Sequence, residues 1–64
     1  MSRKELVEYL KVGDYKIIQE KSGLHRSTIN KWVKGESNNK VVEVLITALA
    51  NKRKNELEQL TKNI

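Results

Sequence analysis

The three glycines of this chain place the strongest limits on its fold. They stand at positions 13, 23 and 35 of 64 residues, and proline is absent. Both residue types interrupt helices, so each segment between the glycines can form one. The segment from Asn39 to Ile64 contains neither. Few aromatic residues and many leucine, lysine and glutamate residues also favour helices over strands. The sequence therefore predicts an all-α protein of four helices, or five, with a long last helix.

Capping patterns set the predicted ends of the first two helices. Ser2 and Glu5 have the spacing of a capping box, which begins a first helix of about nine residues. Gly13 is expected to end this helix by taking a positive φ. Asp14 is expected to cap the second helix, which covers about residues 15–21 and stops at Gly23.

The third helix is predicted from Arg26 to Lys34, closed by Gly35, and Ser37 or Asn38 is expected to cap the fourth. Apolar side chains recur at helical spacing and predict the side of each helix that faces the core. They are Leu6, Val7, Leu10, Ile17, Ile18, Ile29, Trp32, Val33, Val42, Leu45, Ile46 and Leu49.

Composition excludes several classes of function. Without cysteine, and with a single histidine, the chain offers neither a disulfide framework nor a metal site. No cofactor, small-molecule ligand or catalytic residue is expected, because no acid–base constellation is present. The longest apolar run, residues 44–50, is too short to span a membrane, and no leader pattern begins the chain. The net charge of +5 favours a polyanionic partner over a merely lysine-rich surface.

The segment 22–36, SGLHRSTINKWVKGE, has few bulky apolar side chains and many polar and basic ones. Residues 17–35 resemble the helix-turn-helix of lambda repressor/Cro-like (Xre-type) transcriptional regulators, and also that of lac-repressor-type regulators. The matching positions are the turn glycine, the closing glycine and the apolar residues that pack the two helices together: Ile18, Gly23, Leu24, Ile29, Trp32 and Gly35. Two positions depart from the family pattern. Gln19 stands where alanine is usual, and His25 where a capping serine is usual; since histidine is a poor cap, a contact role is expected for it.

The resemblance implies a partner, double-stranded DNA, and a set of contacts to it. The third helix would read bases from the major groove with Arg26, Ser27, Asn30 and Lys31. Phosphate contacts are expected from Tyr15, Lys16, His25, Thr28, Lys34, Asn38 and Lys40. Trp32 is expected in the core.

The chain is divided into a helix-turn-helix domain, residues 1–50, and a helical extension, residues 51–64. On a continuous helix the extension places Leu57, Leu60 and Ile64 on the same face as the apolar residues before them. These three residues are predicted to form a homodimer contact. A bend near Asn51, or a frayed end, is the alternative.

The resemblance thus implies a sequence-specific DNA-binding regulator of transcription that acts as a repressor. It also implies a protein of the bacterial cytoplasm and nucleoid, or one encoded by a phage or mobile element. One alternative is a protein-interaction adaptor or an antitoxin-like module that uses the last helix. Another is a nucleic-acid binder without sequence preference.

Overall fold

The structure is a computed structural model that describes residues 2–62. It has four helices in this range: α1 (Arg3–Tyr9), α2 (Asp14–Ser22), α3 (Arg26–Val33) and α4 (Lys40–Lys62). No strand occurs between residues 2 and 62. The predicted all-α fold with a long fourth helix is confirmed. Because α4 continues through Asn51, the alternative of a tail folding back at that residue is wrong.

The core lies where α1, α2 and α3 pack against the first half of α4. α4 contacts all three of the other helices, α1 most extensively. Every helix contributes a predicted apolar residue to this core, and the buried hydrophobic side chains are Leu6, Ile18, Ile29, Trp32, Val42, Ile46 and Ala50. The helical periodicity therefore identified the buried faces with two exceptions. Ala50 is buried but was not predicted to be. The prediction for Ile17 is wrong: its side chain is 38% exposed, because it lies about 100° around α2 from the buried Ile18. None of the helices in residues 2–62 combines the length and apolar content needed to cross a bilayer.

Two of the three glycines end helices as predicted. Gly23 follows α2 with φ 72°, and its N–H donates to the carbonyl of Gln19 at 2.8 Å. Gly35 follows α3 with φ 85°. The prediction for Gly13 is wrong, because α1 already ends at Tyr9 and Gly13 precedes α2 with φ −71°.

The local sequence pattern predicted the N-terminal cap of α1 correctly but not that of α4. The Ser2 hydroxyl accepts the Glu5 N–H at 3.3 Å, which confirms Ser2 as the cap of α1, and the Glu5 carboxylate accepts from the same hydroxyl at 3.3 Å. At α4 the cap is Asn39, whose Oδ1 accepts the N–H groups of residues 41 and 42 at 3.0 and 3.2 Å. The prediction of Ser37 or Asn38 is therefore wrong. Asn38 instead accepts from an Arg3 guanidinium nitrogen at 3.2 Å, a tertiary contact that the sequence pattern does not reveal.

Candidate nucleic-acid interface

The short helix α3 has one buried side and one exposed polar side. Ile29 and Trp32 are buried, at 0% and 2% exposure, and fix α3 to the rest of the core. The four residues predicted to read bases are all exposed: Arg26, Ser27, Asn30 and Lys31. Arg26 and Asn30 are four residues apart, as are Ser27 and Lys31, and the two pairs are adjacent on the helix, so all four residues lie on one surface. The structure therefore brings these four predicted residues together.

The beginnings of α2 and α3 meet through a stacked pair of side chains. The Arg26 guanidinium carbon lies 4.4 Å from the centroid of the Tyr15 ring. The Nε of Arg26 also donates to Oδ1 of Asn30 at 3.3 Å, one turn further along α3. Arg26 and Asn30, both predicted to read bases, and Tyr15, predicted to contact phosphate, are thus joined by direct contacts. Sequence reasoning named all three residues but not the contacts between them.

His25 caps α3. Its Nδ1 accepts the backbone N–H of Ser27 at 3.1 Å and lies 2.9 Å from the Ser27 hydroxyl. The expectation that histidine would be unsuitable here is wrong, because the imidazole nitrogen takes the place of the usual serine oxygen. An Nδ1 that accepts a backbone N–H leaves the ring hydrogen of a neutral imidazole on Nε2. His25 is exposed, so this N–H remains available as a donor.

The other predicted phosphate contacts are more scattered. Lys16 is exposed beside Tyr15 in the first turn of α2, and Thr28 is half-buried in α3. Lys34 caps the C-terminal end of α3, about 12 Å along the helix from Arg26. Lys40 lies 3.3 Å from Glu43 in an exposed ion pair. The side-chain oxygen of Asn38 already accepts a hydrogen bond from Arg3.

A buried ion pair holds the start of α2 against α4. Asp14 is fully buried, and its carboxylate accepts from Arg53 Nη2 at 2.7 Å and Arg53 Nε at 3.1 Å. The backbone N–H of Lys11 adds a third bond at 2.9 Å. Glu56 lies 3.2 Å from the other guanidinium nitrogen. This pair links the helix that carries Tyr15 and Lys16 to residue 53, far along the last helix.

These contacts determine the protonation of the pair. The hydrogen bonds and charge of Arg53, with the Lys11 N–H, hold the pKa of Asp14 below its ordinary value although burial acts in the opposite direction. Hydrogen bonds to Asp14 and Glu56 raise the pKa of Arg53. Both side chains are therefore charged at neutral pH.

Sequence reasoning missed this ion pair. Asp14 was expected to cap α2, but its side chain binds Lys11 and Arg53 instead, so that prediction is wrong. The segment 51–56 contains three basic residues among polar ones, yet the Arg53 side chain is only 19% exposed. One signal was available. Arg53 falls on the apolar face of α4, where a cation needs a buried partner.

Comparison of the chain with protein-family models, with curated proteins and with solved structures finds no significant match in any of the three.

Proposed function

We propose that this protein is a sequence-specific regulator of transcription that binds double-stranded DNA and represses by occupying its site. In this proposal α2 and α3 form a helix-turn-helix, and α3 enters the major groove, which admits one α-helix. The observation that carries the proposal is the division of α3 into a side anchored by Ile29 and Trp32 and an exposed side bearing Arg26 and its polar neighbours. The protein acts in the cytoplasm and nucleoid of a bacterium, or is encoded by a phage.

Charge and helix geometry support contacts to the phosphate backbone. Lys16 is exposed in the first turn of α2, where the backbone N–H groups of a helix favour an anion. His25 adds its free ring N–H between the two helices. Both groups are exposed near the beginnings of α2 and α3, and we infer that they contact phosphates beside the major groove. Lys34, at the other end of α3 from Arg26, and Lys40, which is paired with Glu43, are proposed as additional phosphate contacts.

Selection of bound sequences from a random pool of duplex DNA tests the proposal most directly. A sequence-specific regulator enriches one short motif, and two-fold symmetry in that motif reports a dimer on the DNA. The alternative of a binder without sequence preference predicts bound DNA as diverse as the starting pool. That result would refute the proposed function.

Affinity for duplex DNA is expected to fall steeply with salt. If about five cations touch phosphates, a plot of log affinity against log salt concentration has a slope of about −4 to −5. Lys16→Gln should make the slope shallower by about one. Lys52→Gln removes another exposed lysine, on α4, and should leave the slope unchanged. A wild-type slope near zero would contradict the electrostatic part of the proposal.

The exposed end of α4 supports a second part of the proposal, which is self-association. Leu57 and Leu60 are 54% and 64% exposed. They border a groove of about 220 Å³ whose walls include Tyr9 and Arg53. The third residue predicted to form this contact, Ile64, lies outside the described residues. We infer that a second copy of the chain covers this surface, because paired helix-turn-helix units reach two half-sites one DNA turn apart.

Point substitutions test this contact better than truncation, because a chain ending at residue 51 also loses Arg53 and leaves Asp14 unpaired. Leu57→Glu combined with Leu60→Glu is expected to convert a wild-type dimer into a monomer in sedimentation at tens of micromolar, and to weaken binding to a symmetric site. Val44→Glu is the matched control, since Val44 is also an α4 residue with 64% exposure. A double variant that remains dimeric would exclude the leucines from the contact. A wild-type monomer would favour the adaptor or antitoxin-like alternative for the same surface.

A further inference from the structure

Arg26 is held on two sides, unlike the other exposed cations of the proposed interface. The Tyr15 ring covers one face of its guanidinium at 4.4 Å. Asn30 Oδ1 accepts from its Nε at 3.3 Å. No group in residues 2–62 makes a hydrogen bond to the two terminal nitrogens of this guanidinium. The side chain is therefore fixed at its stem and free at its end.

This arrangement restricts the hydrogen bonds that Arg26 can offer to a base. With Nε occupied, the guanidinium presents its two terminal nitrogens as a fork of two donors. In the major groove guanine offers two acceptors, O6 and N7, on one edge. Adenine offers one acceptor and one donor, thymine offers one acceptor beside a methyl group, and cytosine offers a donor. A fork of two donors thus matches guanine and no other base.

The stack and the hydrogen bond also reduce the entropic cost of binding. A free arginine side chain has many rotamers, and fixing it on the DNA opposes association. Here Tyr15 and Asn30 hold the guanidinium before DNA arrives. The lower entropic cost strengthens the contact between Arg26 and its base. Holding Arg26 in place therefore increases the preference between bases as well as the overall affinity.

We propose that Tyr15 and Asn30 are positioning residues that hold Arg26 to read a guanine in the major groove. The inference rests on the proposed function and names the base that one residue of the site recognises. It assigns Tyr15 a role through its ring and not, as the sequence suggested, through a contact to phosphate. It assigns Asn30 a role through Arg26, because its Oδ1 is already engaged and an asparagine reads adenine with its oxygen and nitrogen together.

The test measures one ratio, using a duplex that carries the selected motif. The position tested is the guanine of the motif whose preference over other bases depends on Arg26. The ratio is the dissociation constant of the duplex with adenine at that position divided by that of the duplex with guanine there. The wild-type ratio is expected at about 5- to 150-fold. Arg26→Ala and Arg26→Lys should both reduce it to near one, since lysine keeps the charge but lacks the fork.

Tyr15 is tested by two substitutions with opposite expected results. Tyr15→Leu removes the aromatic ring and should lower the ratio by about two- to fivefold. Tyr15→Phe keeps the ring without the hydroxyl and should preserve the wild-type ratio. Val44→Ala is the control, because Val44 is an exposed α4 residue outside both proposed contact surfaces. Circular dichroism of each variant confirms that the helices are intact.

Each other outcome overturns the inference. A Tyr15→Leu ratio equal to that of the wild type means that the ring does not position Arg26, and a higher ratio means that the stack withholds Arg26 from DNA. A Tyr15→Phe variant as impaired as Tyr15→Leu assigns the role to the hydroxyl. Loss of preference for a base other than guanine in Arg26→Ala excludes the fork. In all these cases sequence-specific binding survives, whereas a wild-type protein that binds every duplex alike contradicts the proposed function itself.

Discussion

Trp32→Ala is expected to remove most of the stability of the fold. The indole is 2% exposed in the centre of the core and is the largest of the fully buried side chains. Replacing a buried tryptophan with alanine costs about 3–5 kcal/mol in free energy of unfolding, through lost transfer energy and the cavity left behind. A domain of 64 residues has a total of only about 3–10 kcal/mol. Because α3 is anchored by this residue, its exposed side should also lose its fixed orientation.

Urea unfolding followed by far-ultraviolet circular dichroism measures this effect, since the variant lacks the chain's one tryptophan and with it the fluorescence signal. Trp32→Phe keeps an aromatic ring for Arg3, whose guanidinium lies 4.4 Å from the indole ring, and should cost much less. It also removes the indole N–H, which has no hydrogen-bond partner in residues 2–62. Val44→Ala, at an exposed site on α4, is the control. A urea midpoint for Trp32→Ala equal to that of the wild type would contradict the placement of Trp32 in the core.

The elements that were predicted correctly depend on local chemistry. Gly23 and Gly35 end helices because a positive φ is inexpensive only for glycine. All the core residues except Ala50 followed from helical spacing, because a helix of a small domain must bury one side. The boundaries of α3 and the beginning of α4 were predicted to within one or two residues, because Gly35 and the polar residues after it separate the two helices.

The wrong predictions concern residues whose partners lie far away in the chain. Asp14 is of a residue type that often caps helices and has the right position, but Arg53, 39 residues later, binds its carboxylate. Asn38 also has the position of a cap, but its side-chain oxygen accepts a hydrogen bond from Arg3. Capping preferences describe an isolated helix end, and a charged partner supplied by the tertiary fold overrides them. No pattern in one sequence specifies which of several distant cations that partner is.

The candidate site shows the same division. Helical spacing was sufficient to place Arg26 and Asn30 on one exposed side of α3. It did not predict that the Tyr15 ring stacks on Arg26, because that contact depends on the angle between α2 and α3. The angle results from packing of the whole core, which sequence spacing does not encode. The individual residues were therefore predictable, and their cooperation was not.

Asp14→Ala is the second substitution expected to have a large effect on stability. It leaves the Arg53 guanidinium without its principal partner and removes the acceptor of the Lys11 N–H. Breaking a buried ion pair on one side costs about 3–5 kcal/mol, and because Arg53 keeps some contact with water we expect about 2–4 kcal/mol for Asp14→Ala. Glu43→Ala is the matched control. It breaks the exposed pair with Lys40 and should change the urea midpoint little.

The dependence of this effect on pH identifies its electrostatic origin. The pKa of Asp14 in the folded protein lies below its ordinary value of 3.8, because Arg53 favours the carboxylate. The folded state thus binds fewer protons at this site than the unfolded state, and the pair stabilises the fold fully above about pH 5. That stabilisation is lost as the pH falls through the folded pKa. The difference in free energy of unfolding between wild type and Asp14→Ala, from urea titrations at several pH values, should therefore be largest near neutral pH and shrink in acid. A difference that stays constant down to the acid limit of folding would show that Asp14 contributes through packing and not through its charge.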